Sequence, residues 1–84
     1  MAGNSQDDAL SAAARARERV VQAKRRELAA HKRAAVLHEQ AAELQQRLGH
    51  KKQAEGALQR AAHAQELYGL ALAELAEWGL PAAS

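Results

Sequence analysis

Residues 34–64 read AAVLHEQAAELQQRLGHKKQAEGALQRAAHA. Two alanine-rich helical patterns meet there, with Leu48-Gly49-His50 between them. Ala, Leu, Glu, Gln, Arg and Lys are the strongest helix formers. Gly ends a helix at little cost, because it adopts the left-handed conformation one position past the end. The stretch therefore predicts two helices folding back on each other at Gly49. The second must start almost at once, near His50 or Lys51, with a poor cap and with Lys51 and Lys52 opposing its dipole. Packing, rather than capping, has to hold such a turn.

Upstream, no Pro or Gly interrupts the chain between Gly3 and Gly49. Ser5-Gln6-Asp7-Asp8 has the form of a capping box, and Asp7 and Asp8 suit the positive end of a helix dipole. Downstream, Trp78-Gly79-Leu80-Pro81 is a firm stop. The expected organisation is a flexible N-terminus at 1–5, a hairpin over 6–79 and a flexible C-terminus at 80–84. The hairpin divides into a helix over 6–48, a turn at 49–50 and a helix over 51–78. The fold class is all-α: a long, coiled-coil-like, two-helix antiparallel hairpin, which dimerisation would complete as a four-helix bundle.

The heptad columns of the first helix carry more apolar surface than one partner helix can cover. One column is Ala13, Val20, Glu27, Ala34, Ala41, Leu48; another is Ala9, Ala16, Ala23, Ala30, Leu37, Leu44. The two alternate at spacings of three and four, as in a coiled-coil seam. A third, Ala14, Val21, Leu28, Ala35, Ala42, lies to one side of that seam, beyond Leu10, Arg17, Lys24, His31, His38 and Gln45. Arg19, Arg26, Arg33 and Arg47 line the seam's other edge. One of the apolar faces is expected to meet the second helix and the other a partner. The second helix has one clear seam: Ala54, Ala57, Ala61, Ala64, Tyr68, Ala71, Leu75, Trp78.

Composition narrows the class. Eighty-four residues make one small domain, which struggles to bury enough apolar area alone. There is no Cys, which excludes disulfides and thiolate metal sites. Ala accounts for 23 residues, Ile and Phe are absent, and strands are not expected. From the Ala, Leu and Arg bias a GC-rich, bacterial coding sequence is expected. MAGNSQDD lacks the basic and apolar regions of a secretory signal. The longest uncharged apolar run, at 67–73, is far short of a membrane span, so a cytoplasmic location is expected. The formal charge is +2, yet residues 15–33 hold eight bases against Glu18 and Glu27.

Residues 35–68 resemble a single tetratricopeptide-type helical hairpin. Ala42 stands at the small position of that motif's first helix and Gly49 at its turn. Ala54, Leu58 and Ala61 stand at the small, large and small positions of its second helix. His38 and Gln45 replace the family's aromatic residues, Glu66 replaces its closing Pro, and there is no second repeat. The resemblance implies protein–protein interaction.

Catalytic chemistry finds no support. There is no Gly-rich phosphate loop and no nucleophile beside a base. His31 and His38 stand seven residues apart, about 10 Å along a straight helix, too far to share a metal. The i,i+4 pair of zinc helices and the Glu-x-x-His of di-iron bundles are missing. No metal and no cofactor are expected, and the two histidines are expected at the seam edge, where they can tune association with pH. The expected function is a non-enzymatic interaction module that self-associates or grips a protein partner through Leu10, Ala14, Val20, Val21, Leu28, Ala35, Tyr68 and Trp78. The alternative is a nucleic-acid accessory protein contacting a polyanion through Arg15, Arg19, Arg26 and Arg33. A membrane-surface role is not expected, since the apolar face is mostly Ala.

Overall fold

The computed structural model describes residues 3–79. Helix α1 runs over Gly3–Arg47 and helix α2 over Lys51–Glu77, and the described residues contain no strand. The two pack antiparallel into a hairpin measuring 73 × 18 × 17 Å. Because α1 already includes Gly3, Ser5 lies inside the helix and is not its cap. Extending a long helix by another turn costs little once it is nucleated. Of the flexible ends expected at 1–5 and 80–84, residues 3–5 belong to α1, and residues 1–2 and 80–84, with the Leu80-Pro81 stop, lie outside the described residues.

The turn closes as a Schellman motif. Gly49 has φ +77°, its N–H donates to the Gln46 carbonyl at 3.1 Å, and the His50 N–H donates to the Gln45 carbonyl at 2.8 Å. These bonds satisfy carbonyls that the end of α1 would otherwise leave open. The start of α2 is bare by contrast: His50 makes no side-chain cap, and the first turn holds no acid. At the other end Trp78 is the C-cap, and Gly79 turns away at φ +70°. The guanidinium of Arg17 closes that end, with Nη2 donating to the Trp78 carbonyl at 2.9 Å.

On α2 the buried residues are Ala54, Ala57, Ala61, Ala64, Ala71 and Leu75, with Tyr68 half-buried, as their spacing predicts. On α1 the face turned inward is the third apolar column. Val21, Leu28, Ala35 and Ala42 are buried, with Lys24, His31, His38 and Gln45 half-buried between them. Val21, Leu28 and Ala35 are thus internal to the hairpin, a correction to their expected place on a partner surface. Two causes turn α1 this way. The tight turn brings α2 back over the Ala42–Gln45 side of α1. The other seam would also carry the Glu27 carboxylate to the middle of the hairpin, where the α2 seam offers no cation, and an unpaired buried charge is costly.

The core is graded along its length. Val21, Leu28, Ala71 and Leu75, with Tyr68 and Leu72 against them, form the one cluster of larger buried side chains among the described residues. Toward the turn the seam is alanine on both helices. Alanine lets backbones approach closely but removes little apolar area from water, under about 1 kcal/mol per methyl. Most of the apolar burial therefore sits near the open end. Every described residue from Gln6 to Val20 is exposed, so the first turns of α1 project beyond α2.

Candidate interaction surface

Turning the third column inward leaves the longer seam outside. It runs Ala9, Ala13, Ala16, Val20, Ala23, Glu27, Ala30, Ala34, Leu37, Ala41, Leu44, Leu48, spaced three and four throughout, with Glu27 its single polar member. Ala34 and Ala41 are half-buried against the edge of α2, and the other ten are exposed. Val20 keeps 41% of its area in water, Leu37 63%, Leu44 52% and Leu48 57%. The seam lies about 100° around α1 from the one that meets α2, so a third helix can dock there without disturbing the hairpin. Leu37, Leu44 and Leu48 stand in the first two heptad columns, but the expected contact set drew Ala14, Val21, Leu28 and Ala35 from the third column and left these leucines out.

The other expected contact residues separate. Leu10 and Ala14 are exposed on the projecting part of α1. Tyr68 packs on the core cluster. Trp78 stands at the open end with its ring under the Arg17 guanidinium, 5.6 Å from the centroid. Such a cation over an indole face is a favourable electrostatic contact, so Trp78 serves the closure of the hairpin as well as its surface. Beside it, Ala14, Arg17, Glu18, Val21 and Arg25 line a shallow hollow.

Arg15, Arg19, Arg26 and Arg33 are all exposed. Arg19, Arg26 and Arg33 have no carboxylate partner among the described residues, and Arg47, in the same row, pairs with Glu43 at 3.6 Å. A fold at Gly49 sets opposite each other residues whose numbers sum to about 99, and that rule alone would bring Glu66 near Arg33 and Glu74 near Arg25 and Arg26. Instead Glu74 pairs with Lys24, which also reaches Glu27 at 3.3 Å, and Glu66 sits 3.9 Å from His63. The rotation of α1 explains the change: it places Lys24 at the edge of α2 and carries the arginine row away. The Lys24 ammonium lies above its ordinary range, chiefly because it bonds Glu74. The Glu27 carboxyl lies below its own, held by Lys24 and then by His31.

On the side of the exposed seam, the two helices leave an open groove. Ala34, Ala64 and Leu67 form its floor, and His31, His38, Arg60 and His63 stand around it. It continues toward the turn past Ala41, Ala57 and Lys52. Three of the four histidines thus converge on one groove, which their sequence spacing alone did not show. Among the described residues no three His, Asp or Glu side chains are grouped to hold a metal. No helix among them is long and apolar enough to cross a membrane. Comparison with protein-family models, curated proteins and solved structures finds no match for the chain.

Proposed function

We propose that the chain is a non-enzymatic protein–protein interaction module, an adaptor, regulator or assembly subunit that offers the outer seam of α1 to another helix. The observation that carries this reading is the continuous heptad seam from Ala9 to Leu48, left exposed by a hairpin that is already closed. Contiguous exposed apolar surface marks interaction sites, and spacings of three and four select a helix as the occupant. The resemblance of residues 35–68 to a tetratricopeptide-type hairpin points the same way. Self-association and docking of a different helix are both forms of this reading, and either would relieve the small core.

The test is association measured as mass by light scattering over a concentration series, alone and with candidate partners. It is run beside Leu37→Glu/Leu44→Glu, two exposed positions where the hairpin itself should be undisturbed. Association lost in the variant, at unchanged helicity, supports the module. Complexes that form equally well in the variant, or a chain that stays monomeric and unpartnered throughout, would sink it. Unpaired Arg19, Arg26 and Arg33 favour a second reading, nucleic-acid binding, which requires salt-dependent retention on DNA or RNA that Arg19→Glu/Arg26→Glu/Arg33→Glu abolishes.

A further inference from the structure

We infer that the occupant of the outer α1 seam is an amphipathic helix with acidic flanks from a different protein, rather than a second copy of this chain. The inference rests on the interaction-module reading and names its partner by chemistry. In a two-helix seam, the residues on either side of the apolar stripe face their counterparts on the other helix and set partner choice. One border of this seam is Arg19, Arg26, Arg33 and Arg47; the other is Arg17, Lys24, His31 and His38. Neither border carries an acid of its own between residues 17 and 47. Lys24 is engaged by Glu27 and Glu74 and Arg47 by Glu43, whereas Arg19, Arg26 and Arg33 have no carboxylate partner among the described residues.

A second copy that pairs this seam with its own meets opposition in either orientation. Antiparallel pairing sets the arginine border against the same border of the other copy. Parallel pairing sets Arg19 opposite Lys24 of the other copy and Arg26 opposite its His31, and stacks Glu27 on Glu27. Like charges face to face are destabilising in both of these self-pairings. Crossing to the exposed apolar residues of α2, such as Leu58 and Ala62, meets a face where Glu55 and Glu66 are offset by Lys51 and Lys52, which offers the arginine border less attraction than an acidic flank does. The groove beside the seam adds Lys52 and Arg60 to the positive rim. An acidic helix reverses all these signs, in either orientation. Glu27, the one polar member of the seam, is held by Lys24 and His31 of its own helix and favours a polar or small residue opposite it, which sets register as a single polar residue does in coiled coils. A polyanion would satisfy the arginines but not Val20, Leu37, Leu44 and Leu48, which lie between the charged borders.

The experiment uses the full chain and four synthetic probes, three of them peptides of four heptads' length. One is a Leu/Ala heptad peptide with Glu on both flanks, the second the same peptide with Lys flanks. The third has the acidic composition in scrambled order, and the fourth is a DNA duplex. Binding is read by fluorescence anisotropy at low and moderate salt. The acidic heptad peptide should bind at least eightfold more tightly than the Lys peptide, taking roughly twofold for each of three exposed pairs. Arg19→Glu/Arg26→Glu/Arg33→Glu should reverse the order, an outcome that mere misfolding cannot produce. Equal binding of the two heptad peptides would overturn the charge assignment while leaving the interaction module standing. Scrambled peptide or DNA binding as tightly as the acidic heptad would show a simple polyanion site. Self-association through Leu37 and Leu44 that the acidic peptide does not displace would give the seam to a second copy. If neither heptad peptide binds and the chain does not self-associate, the module reading falls as well.

Discussion

Two glycines test how this chain uses its least constrained residue. Gly49 has φ +77° and no heavy atom within 4 Å of where a Cβ would stand, so the cost of Gly49→Ala is one of backbone conformation alone. That substitution should destabilise the hairpin by about 1 kcal/mol. Gly69 lies mid-helix, exposed and with the same open space, so Gly69→Ala should stabilise by about 0.5–1 kcal/mol. Urea denaturation followed by circular dichroism would show whether the two signs are opposite. Charge at single residues sets the pH window. Glu27 titrates below its ordinary range, so its contribution is complete above that range and is lost as pH falls through the lowered value. Lys24 titrates above its ordinary range, so its contribution is complete below that range and is lost as pH rises through the raised value. Stability should therefore be flat around neutrality, with an acid and an alkaline limb. Glu27→Gln should flatten the acid limb and spare the alkaline one, because Glu74 still holds Lys24; thermal midpoints across the pH range check this.

Between the helices, the energetic weight rests on few side chains. Leu75 is 1% exposed within the one cluster of larger residues, so Leu75→Ala should cost about 2–4 kcal/mol and unfold much of the population. Leu70, in the same helix and 62% exposed, should tolerate Ala within about 0.5 kcal/mol. Arg17→Gln removes both the bond to the Trp78 carbonyl and the cation over its ring, and should cost about 0.5–1 kcal/mol. Trp78 is the only tryptophan, so its emission reports that loss directly. The seam of α2 was readable from Ala54 to Leu75, because the alanine spacing there marks one dominant face; Trp78, expected at its end, is exposed. Gly49 and Gly79 were readable as stops for the same local reason. The orientation of α1 was not. It carries two apolar seams about 100° apart, and periodicity cannot choose between them. The choice depends on where a short turn returns the chain and on keeping Glu27 out of the middle, both of which are tertiary effects. The ion pairs were misassigned through that single rotation, and the histidine groove was hidden because His63 comes from the other helix.

At the scale of the whole molecule, the hairpin and the projecting turns of α1 should be separable. Residues 6–13 are exposed and lie beyond the end of α2, so removing residues 1–13 should move the thermal midpoint by less than about 5 °C. The same truncation shortens the outer seam by Ala9 and Ala13 and should weaken docking of an acidic helix without melting the hairpin. Calorimetry and anisotropy on one sample distinguish the two effects. The slender outline given by an alanine seam also has a hydrodynamic consequence. With extents of 73 × 18 × 17 Å, the axial ratio is about four, and the radius of gyration is 19.8 Å. A compact chain of this length would have a radius near 12 Å, and one of 19.8 Å would hold roughly 300 residues. A single copy will therefore leave a sizing column early and tumble slowly about its short axes, imitating an assembly when there is none.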